Sequence, residues 1–148
     1  MQTISPLLSS ELEMAYAIAQ AGHRYPGQLE TFLAQQGHAY LNLKVMEITK
    51  MVGFAITQIV QDEASLLDLV IHPVAQRRGV GRQLLLALIE QLQRRSVQTL
   101  WLEVRISNAP ARALYQQLSF NEVFVRSGYY PAEKGREDAL ILARALTD

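Results

Sequence analysis

A glycine loop set between an apolar strand and a long amphipathic helix constrains this chain more than any other feature. Residues 65–71 form a β-branched, apolar run, Gln76-Arg77-Arg78-Gly79-Val80-Gly81 follows, and Val80, Leu84, Leu85, Leu88, Ile89 and Leu92 then recur on one helical face. Residues 97–104 return as a strand carrying Glu103 within Leu100-Trp101-Leu102-Glu103-Val104. The glycines let backbone N–H groups turn toward an anion, and the helix starting beside them adds the positive end of its dipole. Arg77, Arg78 and the N–H groups of Gly79, Val80, Gly81 and Arg82 can therefore converge on phosphates, and the stretch calls for a ligand with a pyrophosphate. A dinucleotide fingerprint is the competing pattern, and it fails at Leu84, where its third glycine belongs.

Elsewhere the hydrophobic period switches between helix and strand without a long linker, the order of a mixed α/β domain with hairpins first and crossovers later. Ser10 with Glu13 reads as a capping box, and Leu12, Tyr16 and Ala19 predict a first helix to about Ala21, ended by Gly22. After the Tyr25-Pro26-Gly27 turn a short helix is expected over residues 29–35, then a strand from the alternation of Tyr40, Leu41, Leu43 and Val45. Residues 51–60 and 65–71, separated by Gln61-Asp62-Glu63, make an antiparallel hairpin. Asn108 reads as the cap of a further helix, with Pro110 in its first turn and Ala111, Leu114, Tyr115 and Leu118 as its inner stripe. Residues 120–125 and 139–145 finish as strands, with a loop over 127–138 between them. No repeat divides the chain, so residues 1–148 are read as one domain, and its 49% hydrophobic content is enough for a core.

Charge and cysteine usage exclude several classes of function. Lys plus Arg and Asp plus Glu both total 14, which leaves no basic face for direct nucleic-acid binding. The absence of cysteine excludes disulfides, thiolate zinc sites and a cysteine nucleophile. His23, His38 and His72 lack metal-ligand spacing and read as surface or turn residues, so no metal is expected. No stretch approaches a membrane span of roughly 20 apolar residues. A cytoplasmic monomer without membrane partners is the expectation.

Glu103 shares a strand face with Trp101 and Arg105, and by itself would be a polar strand residue paired with a neighbour. By themselves, Tyr115 would be a core tyrosine and Asn108 a helix cap. Together these residues carry a resemblance. Gln76-Arg77-Arg78-Gly79-Val80-Gly81 resembles the acyl-CoA loop of the GNAT family of N-acetyltransferases. The run from Leu102 to Ala109, Ala113-Leu114-Tyr115, Phe120 and Tyr129-Tyr130-Pro131 with Asp138-Ala139 are similar to the branch of that family that acetylates protein N-termini. The similarity extends over essentially the whole chain.

This resemblance implies a central, mostly antiparallel twisted sheet of about six to seven strands flanked by about four helices. It implies acetyl-CoA as acetyl donor and the N-terminal alanine of a small-subunit ribosomal protein, or another peptide end, as acceptor. Glu103, through ordered water, would deprotonate the amine, and Tyr115 would protonate the departing CoA thiolate. Backbone N–H groups at Leu69, Val70 and Ile71 would polarise the thioester carbonyl. Gln76 to Arg82 would hold the pyrophosphate, and Asn108 the pantetheine arm. Tyr25, Tyr129 and Tyr130 would line the acceptor groove, and Asp68 would attract the acceptor ammonium. Without cysteine, direct attack in a ternary complex is expected. The catalytic parts do not encode the acceptor, so a lysine side chain, a polyamine or another small amine remains open. So does a non-catalytic CoA-binding or ribosome-assembly module. Two departures stand out: Ser119 occupies a position commonly glycine in the family, and Gly27 follows Pro26 where a tryptophan is often found.

Overall fold

A computed structural model describes residues 2–23 and 25–146. The elements run β1 (Gln2–Pro6), α1 (Leu12–Gly22), α2 (Leu29–Leu33), β2 (Tyr40–Glu47), β3 (Lys50–Val60), β4 (Glu63–Ile71), α3 (Val80–Arg94), β5 (Thr99–Arg105), α4 (Ala109–Gln117), β6 (Asn121–Pro131) and β7 (Arg136–Ala145). The strands form one seven-stranded sheet in the order β1-β2-β3-β4-β5-β7-β6. Neighbours are antiparallel except β4 and β5, which α3 joins as a parallel crossover. This is the mostly antiparallel sheet with four helices that the resemblance implied.

Alternation along the strands divides the core between two faces. Leu43, Val45, Ala55, Leu100, Leu102 and Leu142 meet the α3 stripe and Tyr115 of α4 on one side. On the other, Phe54, Ile56 and Val70 meet Leu12, Ala15, Ile18 and Ala19 of α1 and Phe32 of α2. All six α3 stripe residues are buried, and full burial of such a side chain stabilises by about 1.5–3 kcal/mol. Among the described residues, no helix is long and apolar enough to cross a membrane.

Four local expectations need correction. The Ser10–Glu13 capping box does not form. A short 3₁₀ turn at Ser9–Glu11 precedes α1, and the Glu11 carboxylate accepts from the Leu8 N–H at 2.9 Å while pairing with Lys44 at 2.6 Å. The second helix stops at Leu33, two residues before Gln35. The loop expected over 127–138 shrinks to residues 132–135, because β6 runs to Pro131 and β7 starts at Arg136. Strand β1 was not foreseen. Gly22 does end α1, and close approach explains why it is glycine: a Cβ there would stand 2.8 Å from Val70 Cγ1.

Candidate active site

The site originates in a break in the sheet. Ile56 faces Asp68 and Thr57 faces Leu66, so Leu67 is an extra, unpaired residue that bulges β4. Parallel pairing of β4 with β5 ends at Leu66 and Leu102, after which the strands part and β7 alone stays with β5. His72 donates to the Val52 carbonyl at 2.8 Å, and strand amides alternate sides, so the Val70 N–H also faces β3. The amides of Leu69 and Ile71 therefore open into the gap between β4 and β5. Val70 points its buried side chain into the α1 face and does not line the gap.

The gap is the floor of a cleft of about 1030 Å³ lined by β4, β5, the glycine loop, α4, the loop after α1, and Tyr130 and Pro131 of β6. At one end stands the cradle. Gln83 donates to the Gly79 carbonyl at 3.1 Å, and no side chain caps α3, which leaves the N–H groups of Val80, Gly81 and Arg82 available to an anion. Gly79, with φ +78°, makes the turn that aims them. Gln76 ties the loop to β4 by donating to the Ile71 carbonyl at 3.0 Å. Arg77 and Arg82 line the cleft, whereas Arg78 does not; it pairs with Glu47 at 2.7 Å.

Both walls of the cleft carry titratable side chains. Glu103 lines it from β5, one-third exposed, with Arg126 of β6 at 3.6 Å. Tyr115 reaches it from α4, buried and edge-on to Phe120 at 5.5 Å. Burial, with the Asp68 carboxylate and Tyr130 adding, raises the Tyr115 phenol well above its usual range, so it stays protonated. Asn108 lines the same wall, and its Oδ1 caps α4 by accepting from the Ala111 N–H at 3.2 Å. Asp68 faces across from β4 with His23 Nε2 at 2.9 Å from its Oδ1, which brings a histidine read as a turn residue into the cleft wall.

Tyr25 and Tyr130 also line the cleft, while Tyr129 packs edge-on against Tyr130 outside it with Arg126 5.0 Å above its ring. Burial pushes the Tyr130 phenol up to about 12, Glu103 and Tyr129 adding to the shift. Arg105 also lines the cleft, and Glu137 and Arg126, outside the lining, pair with Arg105 and Glu103; the sequence did not single out these two pairings. Among the described residues, no cluster of three or more metal-ligating side chains exists.

A parallel crossover that splays open beside a glycine-turned helix start, with a glutamate and a buried tyrosine on its walls, leaves one open cleft bordered by unclaimed helix-start N–H groups. Residues 4–120 match the Acetyltransferase (GNAT) family, and the chain belongs to that family of N-acetyltransferases. It is 51% identical over 97% of both chains to the [ribosomal protein bS18]-alanine N-acetyltransferase of Escherichia coli strain K12. It is 46% identical to the enzyme of that name from Haemophilus influenzae, over 97% of this chain and 98% of that one. The crystal structure of the ribosomal-protein-S18-alanine N-acetyltransferase from Escherichia coli superposes with a TM-score of 0.98 at 49% identity, covering 100% of this chain and 96% of that one.

Proposed function

We propose that the chain transfers acetyl from acetyl-CoA to the α-amine of the N-terminal alanine of ribosomal protein bS18, by direct attack in a ternary complex. The observation that carries this reading is the single cleft in which the β4–β5 gap, the phosphate cradle, Glu103 and Tyr115 meet. The cradle fits a CoA pyrophosphate: three unclaimed helix-start N–H groups and the Arg77 and Arg82 side chains border one open volume. The open position beside Gly79, with no atom within 4 Å of where a Cβ would stand, leaves backbone room for phosphate oxygens. Bound there, the donor supplies an activated thioester carbonyl.

The chain's own residues supply the rest. An α-amine with a pKa of roughly 8 is mostly protonated near neutrality. Asp68, held by His23, attracts the ammonium, and Glu103 takes its proton through water. Leu69 and Ile71 N–H groups stabilise the carbonyl oxygen as it gathers charge. Tyr115, kept protonated by burial, donates to the leaving thiolate sulfur. Asn108 supports the pantetheine arm.

Intact-mass measurement of acetyl transfer to a peptide copying the mature alanine start of bS18, beside its amino-blocked twin, tests the reading. Acetylation of the free peptide alone is expected. Equal acetylation of both would move the acceptor to a lysine side chain, and CoA binding without any turnover would make the chain a binding module.

A further inference from the structure

At the acceptor end of the cleft a guanidinium lies between two tyrosine rings from distant parts of the sequence. Arg105 Cζ is 4.9 Å from the Tyr25 ring centroid and 4.4 Å from that of Tyr130. Tyr25 comes from the loop after α1 and Tyr130 from β6, elements with no strand pairing between them. The guanidinium is itself fixed: Nη1 donates to the Pro131 carbonyl at 2.7 Å and to Glu137 Oε1 at 2.9 Å. The other Glu137 oxygen accepts from the Ser107 N–H at 3.3 Å, and the donors Ser107 and Arg105 hold that carboxyl below its usual range. One side chain thus joins the end of β5, the β6–β7 hairpin and the loop after α1. A planar cation can stack on two ring faces while its edge donates to a carbonyl and a carboxylate, a combination that a lysine ammonium cannot reproduce.

We propose that Arg105 is a positioning residue that sets the separation of Tyr25 and Tyr130, and with it the width of the slot through which the acceptor's amino end reaches Glu103. This rests on the acceptor-groove reading above. Arg105 touches no reacting atom in it; it acts through the two rings.

The test compares the full chain with Arg105→Gln and Arg105→Lys, each saturated with CoA. Without any peptide, hydrogen exchange in residues 25–28 and 128–135 is expected to rise together in Arg105→Gln, by about tenfold. Exchange that rises in only one segment, or in neither, overturns the proposal whatever the acceptor proves to be. With the alanine-first peptide, Arg105→Gln is expected to raise KM about tenfold with kcat held within about twofold, Arg105→Lys falling between. A loss in kcat at unchanged KM would overturn it by making Arg105 part of the chemistry. Should Arg105→Gln not fold, Tyr25→Ala and Arg105→Lys replace it: their KM effects must be non-additive when combined, and additivity rejects the coupling. Failure of the wild-type chain to acetylate the peptide would reject the acceptor assignment alone, since the exchange comparison contains no acceptor.

Discussion

The roles proposed for Glu103 and Tyr115 follow from where their side chains sit. Glu103 is reachable by water on the open face of β5, whereas Tyr115, on the inner face of α4, is buried with only its edge on the cleft. Replacing Glu103 by Gln is expected to lower kcat about 10²- to 10³-fold with CoA affinity unchanged, read by steady-state kinetics and calorimetry. Tyr115 makes a different, pH-dependent prediction. Its folded pKa lies above the ordinary value of 10.0, so the native state holds that proton more tightly than the unfolded chain does. The stability this brings is whole below pH 10 and is lost as pH rises from there toward the folded pKa, at about 1.4 kcal/mol per pH unit. Denaturation of Tyr115→Phe above pH 10 should therefore show a shallower decline than wild type. Ser119 is a cheaper exception. It keeps the left-handed geometry expected of glycine, with φ +70°, and Ser119→Gly should stabilise by about 0.5–1 kcal/mol in urea melts. Residues inside contiguous motifs, such as Glu103, Tyr115 and the cradle glycines, were legible from sequence. His23, Arg105 and Arg126 were not, because each is defined by a partner that the fold brings from far along the chain: Asp68, Tyr25 with Tyr130, and Glu103.

At the scale of elements, the cleft depends on β4 being pinned to β3 while it leaves β5. Gly53 lets that happen, for its Cβ would meet Ile71 Cδ1 at 2.6 Å and the Val70 carbonyl oxygen at 3.0 Å. The Ile71 tip can swing away, but the carbonyl belongs to the paired backbone. Gly53→Ala should cost about 1–3 kcal/mol in chemical denaturation and also weaken CoA binding, since Ile71 lines the cleft. Elements with a strong apolar signal were readable in advance: α3 has a six-residue buried stripe, and β3 has seven consecutive buried residues. The misses lack that signal. β1 is five residues long with three polar positions and a proline, and β6, whose continuation past residue 125 was not foreseen, is mostly exposed, an edge strand carrying two register shifts. The start of β7 reads Arg136-Glu137-Asp138, whose charges suggest a loop until their partners are seen: Arg136 bonds the Tyr129 carbonyl at 2.7 Å, Glu137 bonds Arg105, and Asp138 accepts from the Gly128 N–H at 2.9 Å.

Across the whole molecule, the sheet joins β1–β4 to β5–β7 through only four paired positions between β4 and β5. Helix α3 packs on β2, β3 and β4 and shares one buried core with residues of β5 and β7, but on the open side of the gap the two parts face each other across the cleft. A ligand held by the cradle and reaching between Leu69, Ile71 and Asn108 would touch both parts at once. Such a ligand binds the native state and not the unfolded chain, so CoA at a hundredfold excess over its Kd should add about 2.7 kcal/mol. For a chain of this size that corresponds to a Tm rise of about 5–10 °C. The rise should be accompanied by slower hydrogen exchange on both sides of the gap, in residues 67–71 and 103–108, because filling the cleft removes the independent motion of each wall. Arg82→Gln should reduce the Tm rise at a fixed CoA concentration, whereas Arg78→Gln, whose parent side chain pairs with Glu47 away from the cleft, should leave it nearly intact. Protection confined to one wall would mean that CoA binds at the cradle without bridging the two parts of the sheet, and the gap would then be a consequence of the bulge at Leu67 rather than the seat of the donor.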